Sequence, residues 1–158
     1  MSATRINHVS IVADDLEESA RFYEDLFGMK RVPTAKFPEP VLWLRLGEQQ
    51  LHLFTSAEDR PTPRHHLGID VADFDAVYAK AKEQGILDTR AFGSPLRSHP
   101  AGWVQLYLRD PAGNLVEIDW PDVTTLAPET RADVLPLESA VAQEGDAAAA
   151  TLYHSSLV

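Results

Sequence analysis

Two stretches of the chain carry the same alternation of apolar and polar positions. His8-Val-Ser-Ile-Val-Ala-Asp-Asp15 lies on His66-Leu-Gly-Ile-Asp-Val-Ala-Asp73, 58 residues further on. Period-two alternation reads each opening as a short strand. His8, Ser10 and Val12 share one face, and His66, Gly68 and Asp70 share the matching face.

Each strand then gives way to a helical period. Asp15 with Glu18 has the form of a capping box in which Asp replaces Ser or Thr. Leu16, Ala20, Tyr23 and Leu26 or Phe27 form the apolar stripe, and Gly28 is the expected stop. In the second copy the stripe is Phe74, Val77, Tyr78 and Ala81, and the stop is Gly85.

Strand-like runs follow each helix. Val41–Leu46 turns at Gly47-Glu-Gln-Gln and returns as Leu51–Phe54; Trp103–Leu108 turns at Asp110-Pro-Ala-Gly113 and returns as Leu115–Ile118. His52 and Glu117 fall at equivalent places on the two return strands. Residues 31–40 offer only a weak strand, because Pro33, Pro38 and Pro40 cannot donate to a ladder. The predicted fold is α+β. Two βαβββ modules, about residues 4–60 and 61–121, are linked near Pro61 and Pro63 and make one domain over residues 1–121. Beyond Pro121 the pattern fades. Residues 122–158 read either as an arm with a short helix, lying over a partner subunit, or as a mobile tail, and Leu135, Leu137 and Val141 could cover a small patch.

Composition narrows the function. A formal charge of −10 argues against nucleic acid and against an anionic membrane surface. The absence of cysteine removes disulfides, thiolate ligands and a thiol nucleophile. The N-terminal residues lack an apolar signal region, and no apolar run approaches a membrane span. A soluble, cytoplasmic protein is expected.

If the halves pair about a pseudo-twofold axis, the inward positions are His8, His52, His66 and Glu117. His8, His66 and Glu117 form a two-His, one-carboxylate set, which suits Fe(II), or Mn(II) in its place, with open coordination positions. Glu117 sits among Leu115, Val116 and Ile118, where an unpartnered carboxylate is costly to bury. For His52, ligand, acid–base residue and packed structural His all stay open. His65 falls on the opposite strand face and reads as structural; His154 lies in the tail. Taken alone, Tyr107 is an ordinary strand aromatic and His99 a loop residue.

The paired openings, the Ser19-Ala-Arg-Phe-Tyr23 helix and Asp110-Pro-Ala-Gly-Asn-Leu-Val-Glu117 together resemble the vicinal-oxygen-chelate superfamily of glyoxalases, bleomycin-resistance proteins and type I extradiol dioxygenases, over roughly residues 4–121. The resemblance implies a glyoxalase-like open barrel of mixed sheets around a metal cleft. His99, Leu106, Tyr107, Asp110, Pro111, Gly113 and Glu117 are similar to the extradiol ring-cleavage signature, with one departure at Arg97. That likeness implies Fe(II) on His8, His66 and Glu117, with a catechol and O₂ as substrates. It implies His52 as acid–base group, and His99 and Tyr107 as hydrogen-bond donors to the catecholate. Many such dioxygenases carry two modules' worth of this fold, so a second subunit, in a homodimer or higher oligomer, would supply pocket walls. Within the superfamily, a glyoxalase or epimerase type of isomerase with His52 as fourth ligand and a fosfomycin-modifying enzyme are rivals. A metal-free antibiotic-sequestering protein is a rival of another class.

Overall fold

The computed structural model describes residues 5–153; His154 and the residues after it lie outside the described residues. The chain forms two compact units, Met1–Leu67 with Arg109–Leu115, and Gly68–Leu108 with Val116–Val158.

The first unit holds β1 (His8–Val12), α1 (Leu16–Phe27), β2 (Lys30–Arg31), β3 (Val41–Leu46) and β4 (Gln49–Phe54). The sheet order is β1-β4-β3-β2, with β1 parallel to β4 and β3 antiparallel to both neighbours. Helix α1 starts where expected: the Asp15 carboxylate accepts from the Glu18 amide at 2.9 Å. It ends at Gly28, whose φ of 67° only glycine adopts without strain. Ala20 and Tyr23 of the predicted stripe are fully buried, as are Leu44 and Leu53 of the sheet. One sheet face therefore makes a core with α1, and alternation sends Ser10, Trp43 and His52 to the other. The β3–β4 turn is tighter than the sequence suggests. Leu46 pairs with Gln49, so Gly47 at φ 58° and Glu48 alone make the turn. The weak strand expected over 31–40 shrinks to β2.

The Asp110–Asn114 turn also belongs to the first unit. Buried Asp110 accepts from the Tyr23 hydroxyl at 3.0 Å and from the Asn114 side chain at 2.8 Å. Asn114 in turn donates to the Val12 carbonyl at 2.8 Å. Burial pushes the Tyr23 hydroxyl well above its usual pKa, reinforced by the Asp110 charge, so it stays a donor.

The second unit repeats the order as β5 (His66–Asp70), α2 (Phe74–Glu83), β6 (Leu96–Ser98), β7 (Val104–Arg109) and β8 (Leu115–Trp120). The two residues at the start of β5 are counted with the first unit. Asp73 caps α2 by accepting from the Ala76 amide at 2.9 Å. Phe74, Val77, Tyr78 and Ala81 are buried, as the stripe predicts. Val104, Leu106, Leu108, Val116 and Ile118 form the apolar face of the sheet.

The arm is docked on its own chain. After a 3₁₀ turn at Val123–Thr125 and α3 (Pro128–Asp133), the strand β9 (Leu135–Pro136) adds in parallel to β6, giving the order β5-β8-β7-β6-β9. Asp133 accepts from Tyr78 at 2.8 Å and from Lys82 at 2.7 Å, both on α2. Beyond the short α4 (Asp146–Ala149), the Ala150 carbonyl accepts from the Trp103 indole at 3.0 Å, and Tyr153 donates to Asp70 at 2.7 Å. Sequence periodicity did not show these anchors, because each is a single long-range contact.

Candidate functional site

In the first unit the register places Ser10 and Trp43 on either side of His52. The three rings of Trp43, His52 and His8 form a stack. His52 lies 4.3 Å from Trp43 and 4.4 Å from His8, with interplanar angles of 9° and 17°. Burial lowers the His52 pKa from its ordinary value, and neighbouring His8 lowers it further. His52 is therefore a neutral imidazole near pH 7.

The imidazoles differ in which nitrogen is engaged. His8 Nδ1 faces the Asn7 side-chain oxygen at 2.7 Å, and His66 Nδ1 faces the Arg64 carbonyl at 2.8 Å. A carbonyl oxygen only accepts, so both rings donate from Nδ1, and the neutral form of each has its lone pair on Nε2. That outer hydrogen bond is the one metal-ligating histidines use to fix tautomer and ring direction. His52 is reversed: its Nε2 faces Gln50 Oε1 at 2.8 Å, which leaves the lone pair on Nδ1.

In the second unit, alternation along β7 and β8 puts Gln105, Tyr107, Glu117 and Asp119 on one face, all buried. They form a continuous hydrogen-bond chain. His99 Nε2 donates to Gln105 Oε1, and Gln105 Nε2 donates to the Tyr107 hydroxyl at 2.6 Å. The Tyr107 hydroxyl bonds the Glu117 carboxylate, and Glu117 bonds Asp119. Burial raises the Tyr107 pKa, and the Glu117 hydrogen bond and charge raise it further, so the phenol keeps its proton. Burial, and then the Glu117 charge, push Asp119 up to about 8, so the carboxylate pair holds a shared proton near neutral pH. His99 is held flat against Trp103, with ring centroids 3.5 Å apart.

Of the candidates read from the sequence, His8 and His52 meet in the first unit, and His99, Tyr107 and Glu117 join in the second. His66 opens β5. Among the described residues, no group of three or more His, Asp and Glu side chains is gathered to hold one ion. Taken singly, the donors have the chemistry of metal ligands: the His8 and His66 imidazoles each have Nδ1 occupied, and in the second unit the Glu117 carboxylate is steadied by a phenol. Gln105, Asp119 and Tyr153 escaped the sequence reading. Gln105 stands two residues before Tyr107 and Asp119 two after Glu117, so period two along each strand was the available signal for both.

The Glyoxalase/Bleomycin resistance protein/Dioxygenase superfamily matches residues 5–118. The chain belongs to this superfamily. Human mitochondrial methylmalonyl-CoA epimerase is 27% identical over 131 residues, which is 73% of each chain. The solved Lactoylglutathione lyase from Agrobacterium tumefaciens has a TM-score of 0.57 at 25% identity, covering 75% of this chain and 95% of the other. A structure described as Oxidase ChaP-H2 has a TM-score of 0.59 at 25% identity, covering 75% and 94%. The fold is thus glyoxalase-like, two mixed sheets with few helices. Superfamily relatives span epimerase, lyase and oxidase chemistry, and the match ends before the arm begins. No helix among the described residues is long and apolar enough to cross a membrane.

Proposed function

We propose that this superfamily member is an Fe(II)-dependent dioxygenase that opens a catechol-type ring beside its diol. His8, His66 and Glu117 would hold the ion, and Mn(II) could substitute. The observation that carries this reading is the opposed ring nitrogens. His8 and His66 are both prepared as Nε2 ligands, whereas Gln50 occupies His52 Nε2. Three protein ligands and a separate base suit diol chemistry better than a four-ligand site.

Bound iron supplies Lewis acidity toward vicinal oxygens and redox chemistry toward O₂. The chain's own residues supply the proton handling. Neutral His52 accepts a diol proton at Nδ1 and returns it later. Tyr107, kept protonated, donates to the Glu117 carboxylate and steadies it as a ligand, and the His99–Gln105 pair holds the Tyr107 hydroxyl in place. Both atoms of O₂ enter the ring-opened product, so no external reductant is needed.

An epimerase or lyase reading draws support from the likeness to methylmalonyl-CoA epimerase. It needs His52 to turn and become a fourth ligand. The deciding experiment is anaerobic reconstitution with Fe(II), followed by a catechol panel and O₂. The dioxygenase reading expects one O₂ consumed per catechol and a yellow product. Racemisation or thioester chemistry without O₂ uptake would replace it with the isomerase reading.

A further inference from the structure

The polar face of the first sheet borders a cleft of about 430 Å³, with His52 and Ser10 in its lining. That volume suits a compact small molecule. Phe37, Trp43 and Phe54 supply aromatic surface, with the Phe37 and Trp43 rings 6.1 Å apart and inclined at 50°. The Trp43 Nε1 atom is buried, with no hydrogen-bond partner among the described residues. A buried donor of this kind is satisfied at little cost by a neutral acceptor on a ligand.

The charges of the cleft all have one sign. Glu39 and Asp59 line it, and no Lys or Arg is among its lining residues. Arg60, next in sequence, donates to the Asp59 carbonyl at 2.6 Å and borders the neighbouring clefts instead. The chain's net charge of −10 adds a background field of the same sign.

We infer that the substrate of this cleft is a small aromatic carrying a protonated amine and no anionic group. This rests on the reading that places His52 at the reacting end. The ring would lie against Trp43 and Phe37. The ammonium would meet the Glu39 and Asp59 carboxylates and the negative faces of the aromatic rings. The same surface disfavours acyl-CoA and glutathione conjugates, which bring phosphates or carboxylates into an acidic cleft that offers them no cation.

The test compares three catechols of equal size, bearing 2-aminoethyl, 2-hydroxyethyl and carboxymethyl groups. Each is titrated anaerobically into the full chain, metal-free and Fe(II)-loaded, by calorimetry and tryptophan fluorescence. The ammonium probe should bind about tenfold tighter than the carboxylate, with the neutral probe between, since each exposed ion pair is worth a few-fold. Glu39→Gln with Asp59→Asn, both at exposed positions, should shrink that ratio below about threefold, as should raising the salt to about 0.5 M. Equal or tighter binding of the carboxylate probe, a ratio unmoved by the double substitution, or no binding of any probe would overturn the inference. O₂ is then admitted to the Fe(II)-loaded samples, and ring cleavage of all three probes at equal affinity would spare the dioxygenase reading and reject this one. The predicted binding order without O₂ uptake would do the reverse and mark a sequestering protein.

Discussion

His52 is stacked on His8 at 4.4 Å, nearly parallel, while its Nε2 faces Gln50. The stack holds the ring without using a metal bond. His52→Phe should therefore keep the stack and the fold while removing the proton acceptor. Turnover should fall by about 10²–10⁴ with KM changed only a few-fold. Steady-state O₂ uptake measures both. A rise in KM with unchanged kcat would make His52 a binding residue only.

Gln105 links His99 to Tyr107 and is buried. Gln105→Leu leaves the His99 ring without its acceptor and removes one donor from Tyr107. The expected cost is about 1–3 kcal/mol in urea-induced unfolding. Gln105→Glu, which still accepts from His99, should recover part of the stability but none of the donor to Tyr107.

Asp110 is a buried carboxylate whose pKa is raised by its burial, although its hydrogen bonds from Asn114 and Tyr23 hold it down in part. Its folded pKa lies above the unfolded one, so its charge costs stability. That cost is absent below the unfolded value and grows as pH rises through the folded value. Tyr23→Phe removes one of the restraining donors, so the loss of stability toward neutral pH should steepen. Asp110→Asn should flatten it. Thermal unfolding between pH 3 and 7 reads the slopes, and identical slopes for all three proteins would refute the assignment.

Asp133 shows the opposite sign. The Lys82 hydrogen bond comes first, and the Tyr78 hydrogen bond next, in lowering its pKa. Its contribution is present above the unfolded carboxylate value and lost as pH falls through the depressed folded value. The arm should loosen from α2 in acid before the sheet does. Hydrogen exchange of residues 127–134 at pH 3 and 6 tests this, and Asp133→Asn should make the two profiles alike.

Tyr153→Phe deletes the donor to Asp70 at the end of the arm. Amide exchange in residues 146–153 should rise, while the core strands β7 and β8 keep their protection. Tryptophan emission should shift to the red if Ala150 also releases Trp103. An unchanged spectrum would show that Trp103 is held independently.

The repeat was legible because both modules impose the same demands on the chain. Asp15 and Asp73 cap helices, Gly28 and Gly85 end them, and the apolar stripes follow one period. His8 and His66 stood out by recurring at the strand openings. Strand β6 and the two-residue β9 were not legible, since so few residues carry no periodicity. The arm was ambiguous for a related reason. Its anchors, Asp133, Ala150 and Tyr153, use side chains or carbonyls whose partners lie far away in sequence. Gln105 and Asp119 were passed over because a polar residue on a strand ordinarily faces water, and here the face is buried. The engaged nitrogen of each imidazole depends on Asn7, Gln50 and a backbone carbonyl, which no spacing rule foretells.

The central claim is that His8, His66 and Glu117 grip the ion and His52 does not. Iron content after anaerobic loading and desalting tests it most directly, in His8→Ala, His66→Ala, Glu117→Ala and His52→Phe, each checked for a native circular dichroism spectrum. The account predicts about one Fe(II) per chain in the parent protein and in His52→Phe, and almost none in the other three. Loss of iron from His52→Phe, or full retention in any of the three alanine variants, would contradict it.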